Sequence, residues 1–256
     1  MSDDNKVECG VHGKTSATFI CQHLSNGEGL GFNMGFDPKK PDDLYPDAWC
    51  DKCDEVLEKE GEWNDASEAF ADIRLVCSGC YCDIRDKNWV QDDEGFTNLV
   101  TSSFEYLQEI QDAFMNTYKI GDHERWDWYQ ETGKLIFSHD GEPMLECEID
   151  FVGTVSTASD TWMWAWANNA LTEKIKANSR LIREIGDEKH FLKLASAHWA
   201  ADEVDGWEMT AIMAKIIRSI GAYRTPSDNG FVYMIVNKAS WVKQKKSNSI
   251  LGFLSK

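Results

Sequence analysis

Apolar positions recur with two different periods along this chain. From Asp160 to Asn169 the order DTWMWAWANN alternates Trp162, Trp164 and Trp166 with Met163, Ala165 and Ala167. An extended backbone therefore sets three indoles on one face and slimmer side chains on the other. Such a strand needs cover on both faces, with the indoles lying against helices or flooring a pocket, and Asn168-Asn169 caps a following helix. A period near 3.6 governs Phe96 to Tyr118, where Val100, Phe104, Leu107, Ile110, Phe114 and Tyr118 form one stripe. It returns from Leu171 to Ile185, with Ile175, Leu181, Ile182 and Ile185 inward and Gly186 in the cap position, and Asp187 to Ala195 adds a helical turn. Asp205 and Glu208 have capping-box spacing and open a helix whose stripe is Met209, Ile212, Met213, Ile216, Ile217 and Ile220, stopped at Gly221.

Between these helices lie strand patterns. Glu124 to Gln130 puts Trp126 and Trp128 on one face, Glu131–Lys134 turns into Leu135–Phe137, and His139–Glu142 turns into Met144–Val155. Phe231–Val236 closes the series. Successive turn-linked strands pair antiparallel, so the expected fold class is α+β, with an antiparallel sheet packed against helices.

The first ninety residues read differently. Seven of the eight cysteines, Cys9, Cys21, Cys50, Cys53, Cys77, Cys80 and Cys82, precede residue 83, and only Cys147 lies beyond. The spacing is Cys9-x-x-His12, Cys21-x-His23, Cys50-x-x-Cys53 and Cys77-x-x-Cys80. Each short pair offers two ligands to a tetrahedral ion, and the eight together suit one or two closed zinc sites, which stabilise a fold and leave no position for reactive water. A helix is expected from Glu55 to Arg74, with Val56, Leu57, Ala66, Ala69, Phe70 and Ile73 available for packing. Trp49-Cys50-Asp51-Lys52-Cys53 imitates a redox dithiol, but no hydrophobic strand leads into it and the other pairs would go unexplained. Gly27, Gly29, Gly31 and Gly35 miss the dinucleotide-loop spacing by one residue and read as a loop. The acidic run Asp92–Gly95 marks a junction. The expected division is a zinc-binding domain over 1–92, an α+β domain over 93–240 and a basic tail over 241–256.

With 44 acidic and 26 basic residues the formal charge is -18. That disfavours nucleic acid and anionic membrane as partners and favours a basic protein. No run of about 18 apolar residues occurs and the start is acidic and polar, so a cytoplasmic location is expected. No nucleophile elbow, zinc-protease helix or phosphate loop is present, and His139-Asp140, His190 and His198 have no activating neighbour in sequence.

Two resemblances follow from these motifs. CxxHG, FICQHL, PDAWCDKC and CSGCY, over about residues 9–82, are similar to an uncharacterised group of bacterial proteins, which implies zinc ligation and no particular activity. TWMWAWANNAL, DGWEMTAI and GAYRTP, over about residues 97–237, resemble a bacterial domain of unknown function with a tryptophan-rich strand, which implies an α+β domain. The expected function is a non-catalytic binding protein with structural zinc, of the kind exemplified by immunity proteins that neutralise a toxin through an acidic surface. The alternative is a zinc-stabilised enzyme or small-ligand binder whose pocket is lined by Trp162, Trp164 and Trp166, with Asn168 and Arg224 at its mouth.

Overall fold

The computed structural model describes residues 6–35, 37, 39–40, 43–227 and 229–242. The expected basic tail lies almost wholly outside the described residues. The chain forms two compact units, one of Met1–Phe96 with Arg183–Ala197, the other of Thr97–Ile182 with His198–Lys256. Residues 183–197 thus return to the first unit. The architecture is α+β, with largely antiparallel sheets packed against helices. Among the described residues no helix is long and apolar enough to cross a membrane.

The first unit opens with a hairpin of β1 (Lys6–Cys9) and β2 (Gly13–Ile20), followed by the short helix α1 (Gln22–Asn26). Then come β3 (Asn33–Gly35), β4 (Asp47–Trp49), α2 (Asp51–Glu60), α3 (Asp65–Ala71), β5 (Arg74–Cys77) and α4 (Ser78–Asn88). β2 is the hub: it pairs β1 and β5 antiparallel and meets β4 in parallel at Ile20 and Ala48. The core gathers Ile20, Leu24, Phe32, Ala48, Ala71 and Tyr81 around buried cysteines. The single helix expected from Glu55 to Arg74 is two. Gly61 ends the first in a left-handed conformation (φ 80°), Asn64 and Ser67 form a capping box for the second, and Arg74 already belongs to a strand. Phe70 and Ile73, offered for packing, are exposed.

The second unit begins within α5 (Asp93–Tyr118), continues through β6 (Arg125–Tyr129), β7 (Lys134–His139), β8 (Glu142–Ser156) and β9 (Thr161–Trp164), and enters α6 (Glu173–Glu188). After α7 (Leu192–Ala195), which belongs to the first unit, it resumes with β10 (His198–Ala200), α8 (Glu203–Ile217), β11 (Gly221–Ser227) and β12 (Gly230–Trp241). The spine of its sheet is β8, not the tryptophan strand. One edge of β8 carries β7 and then β9, while the other carries β12 from Leu145 to Ser156. Alternation puts Leu145, Cys147, Ile149 and Phe151 into a core with Leu135, Phe137, Met234 and Val236.

Several boundaries move for local reasons. The tryptophan strand ends at Trp164, and Ala165–Ala167 is a 3-10 turn, so Trp166 leaves the period-2 face. Gly186 is no cap. It sits inside α6 where a Cβ would come within 2.5 Å of the Ala195 amide nitrogen, and the left-handed residue beyond the helix is His190 (φ 55°). α8 is capped by Asp202 and Asp205 instead of Asp205 and Glu208, and it stops at left-handed Arg218, three residues before Gly221. Its middle, Met209 to Ala214, is buried on every side, so a one-sided stripe understates it. Leu181 and Phe104 fall off their expected stripes and are exposed, Ser103 taking the inward position on α5.

Trp162, Trp164 and Trp166 are fully buried. Trp162 meets Trp164 edge to face at 5.3 Å and packs on Trp199 and Tyr233. The close approach of Trp162 is permitted by Gly153 on β8, where a Cβ would lie 2.3 Å from the indole and 2.5 Å from the Met163 carbonyl oxygen. Gly153→Ala should therefore lower stability by about 1–3 kcal/mol through overpacking, read as a lower urea midpoint with an unchanged slope.

Candidate metal centres

The four cysteine and histidine pairs of the first unit converge two by two. Cys9, His12, Cys77 and Cys80 form one quartet and Cys21, His23, Cys50 and Cys53 the other, each with all ligand atoms within 4.8 Å of one another. Either quartet could hold a metal ion.

The outer quartet is built from a hairpin and a helix start. Cys9 ends β1, His12 lies in the turn before Gly13 (φ 66°), Cys77 ends β5 and Cys80 occupies the first turn of α4. Cys9 Sγ lies 3.8 Å from Cys80 Sγ and from His12 Nδ1, and His12 Nδ1 lies 3.5 Å from both Cys77 Sγ and Cys80 Sγ. Around an ion bonded at 2.0–2.3 Å, tetrahedral edges are about 3.8 Å for two sulfurs and about 3.5 Å for sulfur and nitrogen. Nδ1 is thus the inward nitrogen of His12. Its Nε2 lies 3.3 Å from Asp83 Oδ2, so a carboxylate on the next turn of α4 fixes the ring's orientation. The Cys80 N–H donates to Cys77 Sγ at 3.3 Å.

The inner quartet is more deeply buried, with Cys21, Cys50 and Cys53 nearly inaccessible. Cys21 precedes α1, His23 lies in it, and Cys50 and Cys53 bracket the first turn of α2. His23 Nδ1 lies 3.2 Å from Cys53 Sγ, and the Cys50 N–H donates to Cys21 Sγ at 3.4 Å. A short strand, β4, does lead into Cys50, which the residue pattern did not suggest, but the pairing of Cys50 with Cys21 and His23 ties it to the quartet.

Titration within the quartets is divided. Burial raises the Cys53 thiol strongly, with crowding by Cys21 and Cys50 adding to it, and burial likewise raises Cys21. In the outer quartet burial is overcome at Cys77 by the Cys80 N–H and neighbouring thiols, which bring it down to about 7, whereas burial and its neighbours push Cys80 up to about 12. Thiolates packed this closely oppose one another's ionisation, and a cation among them removes that opposition. Cys82 stands outside both quartets. Cys147 is buried in the second unit's core, where burial raises its thiol to about 12.

The expected tryptophan pocket is only partly assembled. A cavity of about 130 Å³ is lined by Trp164 and Asn168 together with Trp128, Phe151, Met163 and Leu171. Trp162 and Trp166 face elsewhere, the latter with its backbone N–H donating to Ser179 Oγ. Arg224 does not reach this cavity, because it pairs with Glu203 and stacks 4.2 Å from the Phe231 ring centroid. His139 lies between Glu124 and Asp140, and all three side chains are exposed.

One further cavity escaped the residue pattern because its walls are far apart in sequence. It occupies about 220 Å³ in the first unit, between Phe32, Trp49, Trp89, Asp54, Asp187 and His190. Asp187 Oδ1 is buried there without a hydrogen-bond partner. Burial raises the Asp187 carboxyl to about 7, against the opposing pull of Arg183.

A family model described as a family of unknown function (DUF6882) matches residues 97–239. No curated protein and no solved structure matches the chain.

A carboxyl raised in the folded state contributes stability that is complete below its unfolded value, near 4, and is lost as pH rises towards 7. Asp187→Asn should accordingly be more stable than the natural chain at about pH 8, with the difference shrinking to nothing near about pH 4, as followed by urea unfolding across that window.

Proposed function

The chain belongs to the DUF6882 family of unknown function, and since membership carries no activity with it, we propose that the protein is a zinc-stabilised, non-catalytic binding protein for a basic partner. The carrying observation is the pair of Cys3His quartets, each with its ligand atoms within 4.8 Å of one another, the outer one spaced as the edges of a tetrahedron around zinc. All four positions of each site are filled by protein, so the ions brace the first unit and offer no place for a reacting water. Cys9, His12, Cys77 and Cys80 hold one, and Cys21, His23, Cys50 and Cys53 hold the other. Asp83 supports the outer ion through His12.

The formal charge of -18 supports the second half of the reading. An acidic protein steers towards basic surfaces, and close charge complementarity suppresses wrong partners. An immunity protein that occludes a basic toxin domain in the cytoplasm fits these properties. A small-ligand reading has one observation in its favour, the cavity at Trp164 and Asn168, which is of a size for a single ring.

Native mass spectrometry of freshly purified protein should find about two zinc ions per chain, with Cys53→Ser and Cys77→Ser each removing one. Asp83→Asn should weaken the outer site by about tenfold or more while leaving the inner site loaded. Co-expression with a toxin domain encoded beside this gene should yield a complex that survives gel filtration and weakens with added salt. Growth that is not rescued, together with no co-purification, removes the immunity reading and leaves the zinc reading standing.

A further inference from the structure

The cavity walled by Trp49 and Trp89 has the chemistry of a cation receptor, and we propose that it binds a small alkylammonium group. This goes beyond the metal and partner readings. Its floor is Phe32, buried to 3% exposure, and its walls are the two indoles. The Trp49 N–H already donates to Asp54 Oδ1 at 2.8 Å and the Trp89 N–H to the His190 carbonyl at 2.9 Å. With both indole donors engaged, what these rings offer a ligand is π surface, which attracts positive charge.

The polar lining points the same way. Asp54 and Asp187 contribute carboxyl groups, and among the described residues no lysine or arginine lines the space. Asp187 Oδ1 is buried there and accepts no hydrogen bond, leaving an acceptor unmet. The acids and His190 do not converge as ligands of a metal ion, unlike the two quartets in the same unit. A cavity of about 150 Å³ accommodates benzene, so the 220 Å³ here holds a trimethylammonium head with its first methylenes. A desolvated cation between aromatic faces, with a carboxylate behind it, is the recognised way in which quaternary ammonium groups are held.

The test uses the full zinc-loaded chain and choline as the probe, with 3,3-dimethylbutan-1-ol as its uncharged isostere, at about pH 8, where Asp187 is ionised. Calorimetry and ligand-observed NMR should show saturable binding of choline at least about tenfold tighter than that of the alcohol. Asp187→Asn and Trp89→Leu should each reduce choline affinity by about tenfold, with zinc content and circular dichroism unchanged. Trp128→Leu, in the other unit's cavity, should leave it alone. Equal binding of choline and the alcohol, absence of saturable choline binding, or choline affinity that survives both cavity variants overturns the proposal. Should either variant fail to fold, the comparison of charged and uncharged probes on the natural chain decides alone.

Discussion

Closure of long loops by sulfur and imidazole is the constraint on which the first unit rests. His12 meets Cys77 across 65 residues and His23 meets Cys53 across 30. Bringing such distant points together costs chain entropy that grows only slowly with loop length, so a tight cross-link recovers the most where the loop is long. The hydrophobic contribution here is modest: the named core is small, and several large apolar side chains, Phe19, Phe70, Ile73 and Leu75, remain exposed. The strands are correspondingly short, three or four residues apart from β2, and their ends are where the ligands sit.

The second unit is held by the opposite means. Among its described residues it has no cluster of buried cysteine and histidine, and its order comes from a 15-residue strand that accepts neighbours along both edges. Close packing sets the detail. Gly153 lets an indole lie on the backbone, Gly206 admits the Tyr233 ring, and Gly221 leaves room for Phe114.

The residue pattern was legible where physics is local. Ligand spacing identified all eight quartet members because a gap of one or two residues keeps both ligands within a single turn. Turn chemistry at Gly133 and at Asp140-Gly141 marked both hairpins. Pairing between the quartets was not legible, since any two of four pairs can share an ion until the sheet is known. Helix ends failed where the signal residue had another duty: Gly186 and Gly221 look like stops but serve close contacts, and the true left-handed positions went to His190 and Arg218. Asp83 gave no local sign of its role, because its meaning depends on which nitrogen His12 turns inward. The Trp49–Trp89 cavity joins residues more than a hundred positions apart, and no window along the chain contains it.

The return of Arg183–Ala197 to the first unit bears on how this chain can be cut. Its Phe191 ring lies 5.3 Å from Phe96, the Leu192 N–H donates to Gln91, and the Trp89 indole holds the His190 carbonyl. The family segment 97–239 therefore encloses a piece of sequence whose seat is encoded upstream of it. A fragment begun at residue 97 would carry that apolar excursion with nothing to receive it, so excision of the segment as a free-standing module is frustrated by the weave of the chain itself.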